Sequence, residues 1–346
     1  MYRGIPFLYH TIIHRYRRKI MKKLLVVVLV LTVAAMTFTG CRRQGQAAFT
    51  GEVIRIGFAQ TRVDESDWRI ANTRSMQQAF NVPGYQLILA DSNNDAARQV
   101  ADVQAFIDQE VDYIVIAAVN QDGWDTVLRN AESAGIPVIL VDRTMSPAVD
   151  DLWMTWVGPD FFLEGLMAVE WMERHFGSSQ VNVVNLQGQL GSSAQVERSR
   201  ALTEAVAAHS NWNLLARQTG EWSTDIAKQI MASWIQQFGG QINAVYAEND
   251  NMADGAIQAL EEAGITVGGA DGVAMISFDA NRWALDLTLQ GLINVNVECN
   301  PLHGPAVFEI IDNHRRGTMP PKRFIVEEEA FFWDTITQAI IDQRQY

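Results

Sequence analysis

Short apolar runs alternate along this chain with longer segments in which apolar residues recur at helical spacing. The runs predicted to be strands are 53–59, 85–90, 113–118, 138–141, 181–186, 214–218, 244–247, 274–278 and 293–297. The segments predicted to be helical are 76–80, 100–107, 162–172, 201–208, 226–238 and 252–263. Strands that are apolar throughout are typical of sheets buried on both faces. The alternation therefore predicts βα units and parallel sheets.

Two similar helix-to-strand turns, Gly135-Ile136-Pro137 and Gly264-Ile265, indicate that the chain folds into two related lobes. About 305 residues follow the cysteine at position 41, which is enough for two ordinary domains of roughly 150 residues each. The predicted fold class is α/β, with two similar lobes that each contain a parallel sheet flanked by helices.

The N-terminal region has the layout of an export signal. Lys22 and Lys23 precede an apolar run over 24–38, and small residues lead to Cys41. This run has 15 residues, fewer than the roughly 20 that span a bilayer as a helix. We predict a signal region over 1–41, with Met21 as an alternative start, a lipid-modified Cys41 and a flexible tether over 42–51. A retained transmembrane helix is the alternative.

The charge balance excludes one class of partner. Cleavage before Cys41 removes seven of the 27 basic residues and none of the 40 acidic ones, so the mature chain carries a net charge of −20. Such a surface repels nucleic acid. Cys41 and Cys299 are the only cysteines, so a lipid on Cys41 leaves no pair for an intrachain disulfide.

Polar residues gather directly after several predicted strands. Asp142 and Arg143 follow 138–141, Asn249 and Asp250 follow 244–247, and Asp279 follows 274–278. Ligands of open α/β sheets bind at the carboxyl ends of the strands. Carboxylates, amides and guanidinium groups pair with hydroxyls, and indole rings cover apolar C–H faces, so this set favours a neutral polyhydroxylated ligand such as a sugar.

A series of short motifs resembles the type I periplasmic sugar-binding proteins of ABC importers. In chain order the motifs are Ile56-Gly57-Phe58-Ala59-Gln60, Ser66-Asp67-Trp68-Arg69, Gly123-Trp124, Ile136-Pro137-Val138, Asp142-Arg143, Leu186-Gln187-Gly188, Gly191-Ser192-Ser193, Ala247-Glu248-Asn249-Asp250-Asn251-Met252, Gly255-Ala256 and Ser277-Phe278-Asp279. Trp68-Arg69, Gly123-Trp124 and Glu298 ahead of Pro301 resemble the galactofuranose-binding branch. The resemblance implies three hinge crossings between an N-terminal lobe (52–158 plus 300–325) and a C-terminal lobe (159–299 plus 326–346).

Carried over position by position, the resemblance also implies a set of ligand-binding residues. They are Trp68, Arg69, Asp142, Arg143, Arg198, Trp222, Asn249, Asp279 and Glu298. Alternative roles stay open for some of them: the indole rings suit a core, the arginines suit exposed ion pairs, and Asp250 suits the cap of the helix that follows it.

The function that the resemblance implies is capture of a monosaccharide, galactofuranose or a related hexose or pentose, outside the cytoplasm. The closed protein would deliver the sugar to an ABC permease driven by a cytoplasmic ATPase, and a lipid anchor would hold it at the cell surface or in the periplasm. A sensory receptor that feeds a chemoreceptor or histidine kinase is the alternative. A glycosidase needs two carboxylates at a defined separation, which the sequence does not specify. We expect a monomer that uses no cofactor. We also expect no metal site, because the histidines are dispersed along the chain.

Overall fold

A computed structural model describes residues 51–346. The predicted signal, Cys41 and nearly all of the predicted tether lie outside this range. Twelve strands in the described range form two six-stranded sheets, and ten α-helices accompany them. The predicted α/β class with two sheet-containing lobes is confirmed. No helix in residues 51–346 has the length and apolar character needed to cross a membrane.

The first sheet is entirely parallel. Its strands are β1 (Ile54–Gln60), β2 (Tyr85–Asp91), β3 (Tyr113–Ile116), β4 (Val138–Val141), β5 (Thr155–Gly158) and β11 (Arg323–Ile325). They lie in the order β11-β5-β4-β3-β1-β2. This arrangement brings the carboxyl ends of the central strands β1, β3 and β4 to one edge of the sheet.

The second sheet repeats this plan with one reversed strand. Its strands are β6 (Val181–Gln187), β7 (Trp212–Thr219), β8 (Ala244–Ala247), β9 (Ala274–Asp279), β10 (Val295–Glu298) and β12 (Ala330–Phe332). The order is β12-β10-β9-β8-β6-β7, and β12 alone runs antiparallel to its neighbour. The two sheets therefore have closely similar topologies.

Helices follow most strands. They are α1 (Asp67–Ala79), α2 (Ala96–Asp108), α3 (Asp125–Ser133), α4 (Phe161–Phe176), α5 (Ser193–Ala208), α6 (Thr224–Phe238), α7 (Asp250–Glu262), α8 (Arg282–Leu289), α9 (Gly304–Arg315) and α10 (Gln338–Gln343). Six of them begin at a side-chain cap, in which a serine, aspartate or asparagine accepts a backbone N–H three residues further on. These cap residues are Ser66, Asp95, Asp160, Ser192, Ser223 and Asn249.

Strand β3 shows why the strands are apolar throughout. Tyr113 and Val115 belong to a buried cluster with residues of α1 and α9, whereas Ile114 and Ile116 belong to a second cluster with residues of α2 and α3. Successive side chains of a strand point to opposite faces, so helices on both faces require an apolar residue at every position.

The chain passes between the two sheets three times. The first crossing joins β5 to α4, the second joins β10 to α9, and the third joins β11 to β12. Gly135 and Gly264, at the two turns that indicated related lobes, both have φ +70° and follow α3 and α7. A glycine adopts this left-handed conformation at no steric cost, which is why it ends both helices.

The nine predicted strands correspond to nine observed strands, with ends that differ by at most two residues. The strands β5, β11 and β12 were not predicted. β11 is exposed at all of its three positions and pairs only with β5 at the edge of the first sheet. Its strand conformation depends on that partner rather than on an apolar pattern, so the local sequence carries no signal for it.

Candidate ligand-binding site

A small cavity lies between the two sheets, at the carboxyl ends of their strands. Residues of both lobes line the cavity: Glu65, Ser66, Trp68, Arg69, Asp142, Arg143, Phe161, Ala194, Arg198, Trp222, Asn249, Asp279 and Cys299. The structure therefore brings together eight of the nine residues predicted to bind ligand.

On the first lobe, two guanidinium groups share carboxylate partners. Arg69, in the first turn of α1, donates from Nη2 to Asp142 Oδ2 at 2.6 Å and from Nε to Glu65 Oε2 at 3.3 Å. Arg143 donates to the same oxygen of Glu65 at 2.8 Å. All four side chains are buried. Burial lowers the pKa of Arg69, but Asp142 and Glu65 raise it more, so this guanidinium stays charged.

On the second lobe, Arg198 of α5 lines the cavity. It donates from Nε to Glu164 Oε2 at 2.6 Å, and its Nη2 lies 3.7 Å from Asp279 Oδ1. Burial raises the pKa of Asp279 well above its ordinary value, although the charge of Arg198 lowers it. The hydrogen bond to Glu164 holds the guanidinium of Arg198 in place before a ligand binds.

Two indole rings complete the walls. Trp68 donates from Nε1 to the carbonyl oxygen of Cys299 at 2.5 Å, which ties the first lobe to the second crossing. Trp222 packs on Gly188, where a Cβ atom would lie 1.8 Å from the indole ring. Both rings are almost fully buried. Only glycine at position 188 leaves space for the Trp222 ring.

Three lining residues have a strained backbone. Asp142 has φ +60°, Trp222 has φ +64° and Asp279 has φ +103°. Non-glycine residues rarely adopt the left-handed region, and such residues concentrate at ligand sites where the surrounding structure holds them. All three of these residues line the cavity.

Asn249 both lines the cavity and caps a helix. Its Oδ1 accepts the backbone N–H of Met252 at 2.9 Å, so Asn249 rather than Asp250 is the cap of α7. The capping role considered for Asp250 is therefore wrong. Asp250 instead accepts hydrogen bonds from Ser277, Asn281 and Asn296 below the cavity. Burial raises its pKa to about 6.

The two lobes are closed over the cavity. Arg143 Nη1 donates to Gln189 Oε1 at 3.3 Å, and the backbone N–H of Thr144 donates to Ser193 Oγ at 2.9 Å. At the rim, Asn251 Nδ2 donates to Asp67 Oδ2 at 3.2 Å. Each contact joins a residue of the first lobe to one of the second, so each requires the closed arrangement.

Three polar atoms of the lining have no hydrogen-bond partner among the described residues. They are Glu65 Oε1, Arg69 Nη1 and Trp222 Nε1, and all three are buried. A buried polar atom without a partner costs about 1–3 kcal/mol, so these atoms favour a ligand that can pair with them. They offer one acceptor and two donors to a molecule in the cavity.

The placement of Glu298 does not fit the prediction, because this residue does not line the cavity. Its Oε1 accepts hydrogen bonds from Arg344 Nη1 and, at 3.0 Å, from Tyr346 Oη. The next residue, Cys299, lines the cavity instead. Successive residues of an extended chain point to opposite sides, so Glu298 and Cys299 cannot both face the ligand space.

Sequence reasoning missed five lining residues: Glu65, Ser66, Phe161, Ala194 and Cys299. Glu65 is the most informative of them, because it bridges Arg69 and Arg143. Its position one residue before the serine cap of α1 was the available signal, since a carboxylate there lies at the carboxyl end of β1. Phe161 begins α4 directly after the first crossing and Cys299 lies on the second crossing, and no periodic pattern marks either position.

Comparison with known proteins places this arrangement in a family. Residues 56–303 match the family model described as a periplasmic binding protein domain. The galactofuranose-binding protein YtfQ of Escherichia coli strain K12 is 34% identical over 291 residues, which cover 83% of this chain and 90% of that protein.

Solved structures agree with this assignment. A Mycobacterium smegmatis protein in complex with β-D-fucofuranose superimposes with a TM-score of 0.80 at 34% identity, covering 85% of this chain and 96% of that one. The binding component of the arabinose ABC transporter of Shewanella sp. ANA-3, bound to α- and β-L-arabinofuranose, gives 0.78 at 30% identity and covers 84% and 95%. These matches confirm the predicted family and its non-enzymatic character, so the glycosidase alternative is set aside. The chain belongs to the periplasmic binding protein family, whose members bind ligands rather than transform them.

Proposed function

We propose that this protein is the extracytoplasmic binding component of an ABC importer and that it captures a neutral monosaccharide between its lobes. The sugar would contact both lobes and so favour the closed state over the open one. A permease that recognises the closed state would then receive the sugar. No covalent bond changes in this cycle.

The three unpartnered atoms in the cavity carry this proposal. Glu65 Oε1 accepts a hydrogen bond, whereas Arg69 Nη1 and Trp222 Nε1 donate one each. A sugar hydroxyl can do either, because it carries one donor and two acceptor lone pairs. A molecule with several neighbouring hydroxyls therefore satisfies all three atoms at once. Glu65 and Arg69 lie on one lobe and Trp222 on the other, so the same molecule would bridge the lobes.

The charge of the lining supports a neutral ligand. Its three carboxyl groups belong to Glu65, Asp142 and Asp279, and its three guanidinium groups belong to Arg69, Arg143 and Arg198. Each guanidinium already lies within 4.0 Å of a carboxylate of the protein. A charged ligand would bring its own charge into a buried site whose guanidinium groups are already paired, which is costly.

The names of related proteins support a five-membered sugar ring. The relatives described above are a galactofuranose-binding protein and two proteins bound to furanose sugars. Bifidobacterium longum has a fructose import binding protein that is 29% identical over 77% of this chain. We propose galactofuranose, or a related hexose or pentose in its furanose form, as the ligand of this protein.

A screen of monosaccharides by thermal shift tests the proposal on the protein that begins at residue 42. A ligand at a hundredfold excess over its Kd stabilises the fold by about 2.7 kcal/mol. Carbon-13 NMR of the bound, C1-labelled sugar then reports its ring form. We expect a shift with galactose or arabinose and a furanose signal in the complex. Indifference to every sugar, or conversion of one into a product, would overturn the proposed function, and a pyranose signal would overturn only the ring form.

We also propose that a lipid on Cys41 anchors the protein to the outer side of a membrane. The proposal depends on the sequence, in which a basic start and a 15-residue apolar run precede Cys41. Mass spectrometry of the mature N-terminus provides the test. A diacylglyceryl-modified cysteine at position 41 is expected, and a retained residue 40 or an unmodified cysteine would contradict it.

A further inference from the structure

One face of α1 carries three hydrogen-bonding side chains that contact the second crossing. Trp68, Asn72 and Ser75 lie four and three residues apart along this helix, so they share one face. Trp68 Nε1 donates to the carbonyl oxygen of Cys299, where the crossing begins. Ser75 Oγ accepts the backbone N–H of Gly304 at 3.0 Å, directly after the crossing ends. Asn72 lies between these two contacts and is fully buried.

The amide of Asn72 belongs to a chain of hydrogen bonds that has a backbone group at each end. The backbone N–H of Thr61 donates to Gln60 Oε1 at 3.0 Å, and Gln60 Nε2 donates to Asn72 Oδ1 at 3.1 Å. Asn72 Nδ2 then donates to the carbonyl oxygen of Pro301 at 3.0 Å and lies 3.3 Å from His303 Nδ1. A backbone N–H only donates and a carbonyl only accepts, so the two ends fix the orientation of both amides.

This orientation makes His303 the acceptor in its contact with Asn72. Because an amide nitrogen only donates, Nδ1 of His303 accepts from it, and the neutral ring carries its hydrogen on Nε2. The ring is almost fully buried, and burial lowers the pKa of His303 to about 4, although the charge of Asp142 raises it. A charged ring would turn a second N–H toward the amide, so the contact requires the neutral form.

The ring of His303 also packs against the indole of Trp68, which lines the cavity. The two ring centroids are 5.9 Å apart and the planes meet at 70°, an edge-on arrangement that aromatic rings favour. The guanidinium carbon of Arg69 lies 4.7 Å from the indole centroid, and the carbonyl oxygen of Cys299 accepts the indole N–H. Three groups thus hold the indole, and Asn72 binds two of them: His303 itself and the crossing that begins at Cys299.

We propose that Asn72, which does not line the cavity, is the positioning residue for the Trp68 indole. Its amide holds His303 against the indole and holds the second crossing, whose first carbonyl oxygen accepts the indole N–H. One wall of the cavity is therefore in place before a ligand binds, so less conformational freedom is lost on binding. The consequence for sugar affinity rests on the proposed function, whereas the placement of the indole requires no sugar.

Nitrogen-15 NMR of the ligand-free protein tests this proposal through the indole N–H signal of Trp68, which Trp68→Phe identifies by removing it. Asn72→Leu keeps a branched side chain but removes both donors. Gln99→Met is the matched control, because Gln99 is an equally buried amide whose side chain bonds backbone groups of β1 and of the segment after β3. We expect the Trp68 signal to shift in Asn72→Leu and to exchange with solvent at least about tenfold faster there than in Gln99→Met.

Titration with the sugar found by the thermal-shift screen provides a second measure. We expect affinity to fall at least about fivefold in Asn72→Leu and to stay unchanged in Gln99→Met, although both variants lose hydrogen bonds of a buried amide. Asn72→Ser, with a smaller polar side chain, takes the place of Asn72→Leu if that variant does not fold. An unchanged Trp68 signal in the folded Asn72 variant, or an equal change in Gln99→Met, would overturn the proposal. Because the NMR measurement uses no ligand, this outcome is distinct from a failure of the proposed sugar function.

Discussion

At the scale of single residues, the candidate site is organised before a ligand enters. Arg69 is held by Asp142 and Glu65, and Arg198 is held by Glu164, so no guanidinium has to be ordered at the moment of binding. The conformational cost of fixing these long side chains is met by the fold rather than by the ligand. Removal of one partner should consequently affect both binding and stability.

Asp142→Asn tests this coupling. The substitution keeps the shape of the side chain but removes the charge that faces Arg69 at 2.6 Å. We expect sugar affinity to fall at least about tenfold and the free energy of unfolding to fall by about 3 kcal/mol, because a buried pair is broken. Calorimetric titration and urea unfolding measure the two effects. Asp151→Asn, at an exposed position, is the control that should change neither. Full affinity in Asp142→Asn would contradict the site assignment.

Trp222→Phe removes the indole N–H donor but keeps an aromatic ring at position 222. The Nε1 atom of Trp222 donates to no described residue, so the substitution breaks no hydrogen bond of the ligand-free protein, and any loss of stability comes from the smaller ring. Sugar affinity should fall about tenfold, which is the value of one hydrogen bond in a dry site. Trp283→Phe provides a matched control, because that Nε1 is also buried without a partner but lies outside the cavity. Equal losses in the two variants, measured by calorimetry, would argue against a ligand contact at Trp222.

At the scale of elements, the carboxyl end of β8 places two buried carboxyl groups beneath the cavity. Glu248 accepts hydrogen bonds from Ser199, Asn185 and the backbone N–H of Gly188. Asp250 connects α7 to the end of β9 through Ser277. These bonds fix the ends of neighbouring strands relative to one another, and the ligand-facing residues project from those ends.

Glu248→Gln should flatten part of the dependence of stability on pH. Burial raises the pKa of Glu248 in the folded protein to about 7, above the 4.5 of an ordinary glutamate. The folded state thus binds more protons than the unfolded state between these values, and its stability falls as the pH rises through that window. The free energy of unfolding falls by about 3 kcal/mol across this window. Urea unfolding at several pH values should show this slope reduced in Glu248→Gln and retained in Glu261→Gln, which changes an exposed residue.

At the scale of the whole molecule, function depends on the balance between open and closed lobes. Contacts across the rim favour the closed state, and so does any ligand that touches both lobes. The rim contact between Asn251 and Asp67 is exposed enough to be altered without disturbing the core. A substitution at this contact therefore tests how the balance between open and closed lobes affects binding.

Asn251→Asp should open the lobes slightly, because it places a second carboxylate against Asp67. We expect a two- to fivefold loss of sugar affinity, about the size of an exposed ion-pair effect, and a weaker loss at high salt. The double variant Asn251→Asp with Asp67→Asn exchanges the two groups and should restore affinity. Titrations at two salt concentrations provide the measurement. A double variant as weak as the single one would show that the contact does not act through closure.

Much of the fold was predictable because it depends on local patterns. The strands 138–141 and 244–247 were predicted with their observed ends, since buried parallel strands are apolar runs with polar residues on both sides. The helix over 125–133 was missed, because it buries only three residues and its mean composition is polar. The edge strands β11 and β12 were also missed, because their conformation depends on distant partners.

The sequence by itself determined the α/β class, the family and the residues at the strand ends, including Asp142, Arg143, Asn249 and Asp279, because each of these follows from neighbours along the chain. Only the tertiary structure decided that Glu65 joins two arginines, that Cys299 rather than Glu298 faces the cavity, and that Asn72 meets Pro301 on the second crossing. Such contacts join residues far apart in the chain, and a one-residue change of register reverses which side chain faces inward. Local sequence patterns carry no information about such distant contacts or about this register.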